Sequence, residues 1–175
     1  MNISRLLLVS AVTLIGAGGL RAFDLTKPPA RTEVVFFEPE NFTDTRNSYL
    51  GSDNGRDAIL AELKSYIVEH AKPYLAPGQT LSVTVTDVDL AGEFEPWRGA
   101  GFADVRIVKE IYAPRIDLAV RLTDAKGQIV EEGKRELRDQ TFMMNLTMNQ
   151  SDPLRYEKSL LGDWLHREFR SVKKG

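Results

Sequence analysis

Leu81-Ser82-Val83-Thr84-Val85-Thr86-Asp87-Val88 alternates apolar and hydroxyl-bearing residues for six positions and then loses step. Successive side chains on a strand point to opposite faces. Leu81, Val83 and Val85 therefore face a core, while Ser82, Thr84 and Thr86 face water. A strand wet on one side fits an antiparallel sheet whose other side packs against the rest of the domain. At Asp87 the parity inverts, because Val88 and Leu90 stand where the threonines stood. A one-residue slip of this kind marks a β-bulge or the end of pairing.

Downstream the same period returns. Arg115–Thr123 alternates through Ile116, Leu118, Val120 and Leu122, and Asp124-Ala125-Lys126-Gly127 is a type I turn signature. Gln128–Leu137 then returns as the partner strand of a hairpin. Upstream, Thr32–Phe37 carries Val34 and Phe36 on one parity and Val35 and Phe37 on the other, which predicts a strand covered on both faces. Asp53–Leu75 shows helical spacing at Ile59, Leu63, Ile67 and Tyr74, widened by Leu60 and Tyr66. Ser52 or Asp53 suits its N-terminal cap, and Pro77-Gly78 ends it. Ser151-Asp152-Pro153 opens a last helix, with Ser151 or Asp152 as N-cap and Pro153 near the first turn; Leu154, Leu161, Leu165 and Phe169 form one stripe with Leu160 and Trp164 beside it. Val105–Tyr112 suits a strand or a short helix. The expected fold is α+β: a mainly antiparallel sheet of about four to five strands with two main helices packed on it. The first strand, first helix and second strand form a parallel crossover in this reading.

The N-terminus carries a different signal. Met1–Ala22 places Arg5 before an apolar run from Leu6 to Leu14, then small residues at Gly16–Gly19. That is the pattern of a secretory signal peptide, with cleavage expected after Ala22, or after Gly19 in the alternative reading. The apolar run is too short to span a bilayer, so residues 23–175 are expected to form one domain that is not integral to a membrane. Excising residues 1–22 removes Arg5 and Arg21 and no acidic residue, taking the formal charge from −2 to −4. A mildly acidic chain does not fit general nucleic-acid binding. The chain has no cysteine, which excludes disulfides, lipoprotein acylation, thiol catalysis and thiolate metal sites. Asn41, Asn145 and Asn149 lie in Asn-x-Ser/Thr triplets, meaningful only on a eukaryotic secretory route.

Few residues point to chemistry. His70 and His166 lack metal-ligand spacing and read as helix-surface residues. Asp87 and Asp89 form Asp-x-Asp at a strand end, with Glu93 close behind. Three readings stand for this pair: carboxylates that bond turn amides, a weak hard-cation site, or a pair that perturbs one carboxyl for acid–base work. No nucleophile elbow or complete glycine-rich phosphate loop is present. The segment Glu93–Asp104 sets Phe94, Trp97 and Phe102 among glycines, with Arg98 beside them. Such a loop is either a recognition surface or a lid folded back over the sheet edge. Arg106 and Arg115 flank it, suited either to a carboxylate ligand or to pairing with the aspartates.

Thr84–Glu93 (Thr-Val-Thr-Asp-Val-Asp-Leu-Ala-Gly-Glu), Asp104-Val105-Arg106-Ile107, Tyr112-Ala113-Pro114-Arg115-Ile116, Phe142-Met143 and Trp164 resemble the bacterial domain-of-unknown-function family 3016. The resemblance spans nearly all of residues 23–175. It implies export to the periplasm and a bacterial source, and no activity. The expected role is a periplasmic, non-enzymatic binding or accessory module without a cofactor. Its partner, an envelope protein or small ligand, would meet Trp97 and Arg98, with Asp87 and Asp89 shaping the rim. Two alternatives stand beside it: a divalent-metal-dependent enzyme or metal-stabilised domain using Asp87, Asp89 and Glu93, and a structural subunit of an envelope complex joined through a sheet edge.

Overall fold

Four strands form the main sheet of the computed structural model, in the order β1 (Arg31–Phe36), β2 (Thr80–Asp89), β5 (Arg115–Thr123), β6 (Ile129–Arg138). The structure describes residues 28–144 and 151–170. The expected signal peptide, Asn145 and Asn149 lie outside them. β1 runs parallel to β2, joined by helix α1 (Asp53–Ala71); the other neighbours are antiparallel. Helix α2 (Arg155–Phe169) closes the chain, and a two-strand ribbon, β3 (Glu93–Phe94) with β4 (Arg106–Ile107), projects from the connection between β2 and β5. The architecture is α+β, with four main strands plus the ribbon. None of the described helices is long and apolar enough to cross a membrane.

The inverted parity in β2 is a bulge. Pairing with β5 shifts between Val85 and Asp87, so Thr86 is the extra residue. Leu81, Val83 and Val85 before it and Val88 and Leu90 after it all face the core. Ile116, Leu118, Val120 and Leu122 join them from β5, and both helices lay their apolar stripes on this single cluster. At the β5–β6 turn, Asp124 accepts backbone N–H bonds from Lys126 and Gln128 at 2.8 and 2.9 Å, and Gly127 takes a positive φ.

The structure corrects several local expectations. β1 is covered on one face only: Val35 and Phe37 are 59 % and 56 % exposed, because both helices occupy the opposite side of the sheet. Helix α1 is capped by Ser52, whose hydroxyl accepts from Gly55 N–H at 3.1 Å. It gives way to a 3-10 turn at Lys72–Tyr74, where Pro73 has no N–H for an α-helical bond. Helix α2 starts at Arg155, with Leu154 rather than Ser151 or Asp152 at the cap position; Asp152 instead closes the preceding turn by accepting from Leu154 N–H at 2.8 Å. Val105–Tyr112 is neither a long strand nor a helix, and only Arg106–Ile107 pairs.

Candidate functional site

The strand end, the ribbon and the segment before α1 meet at one end of the sheet. Residues 43–46 run beside the end of β2: Asp44 N–H donates to Val88 O at 3.0 Å and Leu90 N–H donates to Asp44 O at 3.1 Å. This alignment carries Thr43, Asp44 and Arg46 to the Asp-x-Asp motif. Asp87 accepts from Thr43 N–H and Thr43 Oγ1, both at 2.7 Å, from Arg115 at 2.5 Å and from Val88 N–H at 2.9 Å. Arg115 also donates to Asp117 at 2.8 Å. Both groups are thus committed to joining strand ends. The Asp89 carboxyl forms no hydrogen bond with a described residue, and burial raises its pKa against the opposing pull of Arg115.

A second charged frame surrounds Phe94. Asp44 is buried and binds two arginines. It accepts from Arg46 N–H and Nε at 3.0 and 3.1 Å, and from Arg106 Nη1 at 3.0 Å. Arg106 also donates to Gly92 O at 2.9 Å and Arg46 O at 2.7 Å, while Arg46 reaches Glu93 at 2.9 Å. Both guanidiniums lie by the buried Phe94 ring, 4.6 Å (Arg106) and 5.7 Å (Arg46) from its centroid. Gly92 must be glycine here. Its φ is +84°, and an added Cβ would come within 2.9 Å of Ile107 O.

Beyond Phe94 the chain is pinned once more and then turns outward. Glu95 is 1 % exposed and binds Lys109 Nζ, Tyr112 OH at 3.0 Å and Arg98 Nε at 2.5 Å. Two 3-10 turns, Pro96–Arg98 and Ala100–Phe102, follow. Trp97 is 72 % exposed at the first turn, and Phe102 and Val105 are exposed nearby. Asp104 accepts from Tyr49 N–H at 3.2 Å, which brings exposed Tyr49 and Leu50 alongside.

The family model described as Protein of unknown function (DUF3016) matches residues 30–167. The chain belongs to this family. The match takes in all eight strands and helices except the last two residues of α2. No curated protein matches. Among solved structures, the chain is similar to a PelC dodecamer from Paraburkholderia phytofirmans, with 12 % identity, 79 % of this chain and 83 % of that chain covered, and a TM-score of 0.39.

In this DUF3016 chain the sequence-predicted residues fall into three settings. Asp87 and Arg115 sit together on the strand end, with Asp89 next to them. Glu93 and Arg106 belong to the frame around Phe94. Trp97 and Arg98 stand on the outer loop, Arg98 held by Glu95. Among the described residues no group of three or more His, Asp or Glu is arranged to hold a metal ion. Sequence reasoning assigned no site role to Asp44 and Arg46, which lie in a polar, turn-rich stretch, or to Lys109 and Tyr112, which lie in the segment left open between strand and helix. It also missed Glu157, for which a signal existed: it falls between Leu154 and Leu161 on the apolar stripe of α2.

Charge fixes how this loop responds to acid. Burial raises the Asp44 pKa, but bonds from Arg46 and Arg106 outweigh it and hold the carboxyl below 3.8. The hydrogen bond from Lys109, helped by Tyr112 and Arg98, holds Glu95 below 4.5 against its burial. A depressed carboxyl contributes stability above its unfolded pKa and loses it as pH falls through the folded value. Hydrogen exchange at Gly99, Phe102 and Val105 should therefore lose protection below about pH 4, after correction for intrinsic rates. Unchanged protection factors down to about pH 3 would show that these carboxylates do not hold the loop.

Proposed function

We propose that this protein is a non-enzymatic binding module of the periplasm that grips a partner protein through the Glu93–Asp104 loop. The observation that carries the reading is the contrast within the loop. Phe94 and Glu95 are buried and tied to four cationic side chains and a tyrosine, while Trp97, two residues on, is largely exposed. An aromatic held open on a pinned backbone loses little conformational entropy when it binds. Tryptophan and arginine are also the side chains most enriched among residues that dominate interface energies. Tyr49, Leu50, Phe102 and Val105 add exposed apolar surface near the same loop. Asp87, Arg106 and Arg115 act as framework, since Asp87 and Arg115 are spent on each other and Arg106 on Asp44 and backbone groups. The periplasmic setting rests on the Met1–Ala22 pattern.

Co-purification from envelope extracts tests this. Trp97→Ala should weaken capture of the partner about thirty-fold, the effect of a ~2 kcal/mol interface anchor. Arg98→Ala should weaken it less, and Lys134→Ala on β6 should leave it intact. A partner retained equally by the wild type and Trp97→Ala overturns the proposal.

A further inference from the structure

A cavity of about 350 Å3 opens between α1, the loop after β2 and the first turn of α2. Ile59, Leu90, Phe94 and Leu154 supply apolar wall. Glu157 also lines it, 1 % exposed and far from bulk water. One of its oxygens, Oε1, accepts from Ala91 N–H at 2.7 Å. The other, Oε2, is buried and has no hydrogen-bond partner among the described residues. A buried carboxyl oxygen left unmatched is costly, and in folded proteins such a group marks an unfilled role.

The charges around the cavity select the sign of its ligand. Arg46 and Arg106 line it, and three guanidinium N–H bonds of each go to Asp44, Glu93 and backbone carbonyls. The acidic groups are less fully answered. Asp104 receives one backbone N–H, and Glu157 Oε2 receives none. A compact cation with several N–H donors satisfies this arrangement, and an anion does not. The aliphatic wall suits methylene groups, and the volume is that of a small-ligand pocket.

We propose that this cavity binds a small primary alkylammonium ion, with its nitrogen on Glu157 Oε2 and its alkyl chain along Ile59, Leu90 and Leu154. The positive charge supplies the partner that Oε2 lacks. It also reverses the effect of burial, which pushes the Glu157 carboxyl above its ordinary pKa of 4.5. This inference does not rest on the Trp97 surface, since neither Trp97 nor Arg98 lines the cavity.

Titration of the purified protein with n-butylammonium, n-butanol and butyrate, followed by amide NMR and calorimetry, tests it. Butylammonium should saturate and shift the Ala91 and Phe94 amides, and should bind at least about tenfold more tightly than the other two. Glu157→Gln keeps the shape and the acceptor for Ala91 but removes the charge, and should lose butylammonium by about tenfold or more. Equal binding of butanol or butyrate, absence of saturable binding, or unchanged binding by Glu157→Gln would each overturn the proposal. Should Glu157→Gln fail to fold, the ranking of the three probes on the wild type decides the matter alone.

Discussion

Phe94→Ala should lower the free energy of unfolding by about 3–5 kcal/mol, the range for truncating a buried aromatic ring. Phe94 is 3 % exposed, so the lost transfer energy and the cavity left behind both count in full. The guanidiniums of Arg46 and Arg106 also lie by the ring, and each cation–π contact adds about 0.5–1 kcal/mol where solvent still reaches. Phe94→Leu preserves most of the volume and removes only the π face. It should therefore cost about 1.5 kcal/mol or less. Urea unfolding of the two variants separates packing from charge–ring attraction. A loss under about 1 kcal/mol for Phe94→Ala would mean that the ribbon collapses onto the gap and the ring holds nothing in place.

Asp44→Asn should cost about 3 kcal/mol. Removing one partner of a buried ion pair costs roughly 3–5 kcal/mol, and the lower end applies because Arg46 remains partly in water and is screened. The asparagine keeps one acceptor oxygen for two arginines and replaces the second with a donor pointed at a cation. Arg106 would keep its bonds to Gly92 O and Arg46 O but lose its counter-charge. The loop seat should loosen as well as the fold, so hydrogen exchange at Phe102 and Val105 should rise more than at Leu118 in the central strand. A uniform rise with no bias toward the loop would contradict this. Asp44→Asn and Phe94→Ala release the same two arginines, so their combined cost should fall short of the sum of the two.

Much of the scaffold is legible residue by residue. The lost step at Asp87 reads as a bulge or the end of pairing, because a strand has a period of two and one extra residue moves every later side chain to the other face; continued pairing with β5 makes it the bulge. Asp124 and Gly127 specify their turn through local hydrogen bonding and a positive φ. Ser52 specifies the start of α1 in the same local way. The failures are also instructive. Val35 and Phe37 have the composition of a doubly covered strand, yet both helices pack on one side and leave them exposed. Leu154 took the cap position of α2 because Asp152 was already committed to the turn before it.

The site was less legible than the scaffold. Trp97, Arg98 and the Asp-x-Asp pair stand out by residue type alone. Arg106 stands out as an arginine flanking the loop, but its partner Asp44, 62 positions away, does not, and nothing local to either shows that they meet. Thr43 and Asp87, 44 positions apart, pose the same problem. Glu157 is an intermediate case. Its place on the apolar stripe shows that it is buried, while the unmatched oxygen appears only once the end of β2 has been laid against α2.

Periodicity, turn chemistry and the absence of cysteine are local or compositional properties, and by themselves they settled the main strands and helices, the break in β2 and the reliance on packing without disulfides. Tertiary structure alone decided which face of the sheet stays open, which charges neutralise one another, and which side chains stay exposed. The reason is physical. Backbone preferences act over a few residues, whereas ion pairing and burial depend on which distant segments the folded chain brings within a few ångströms.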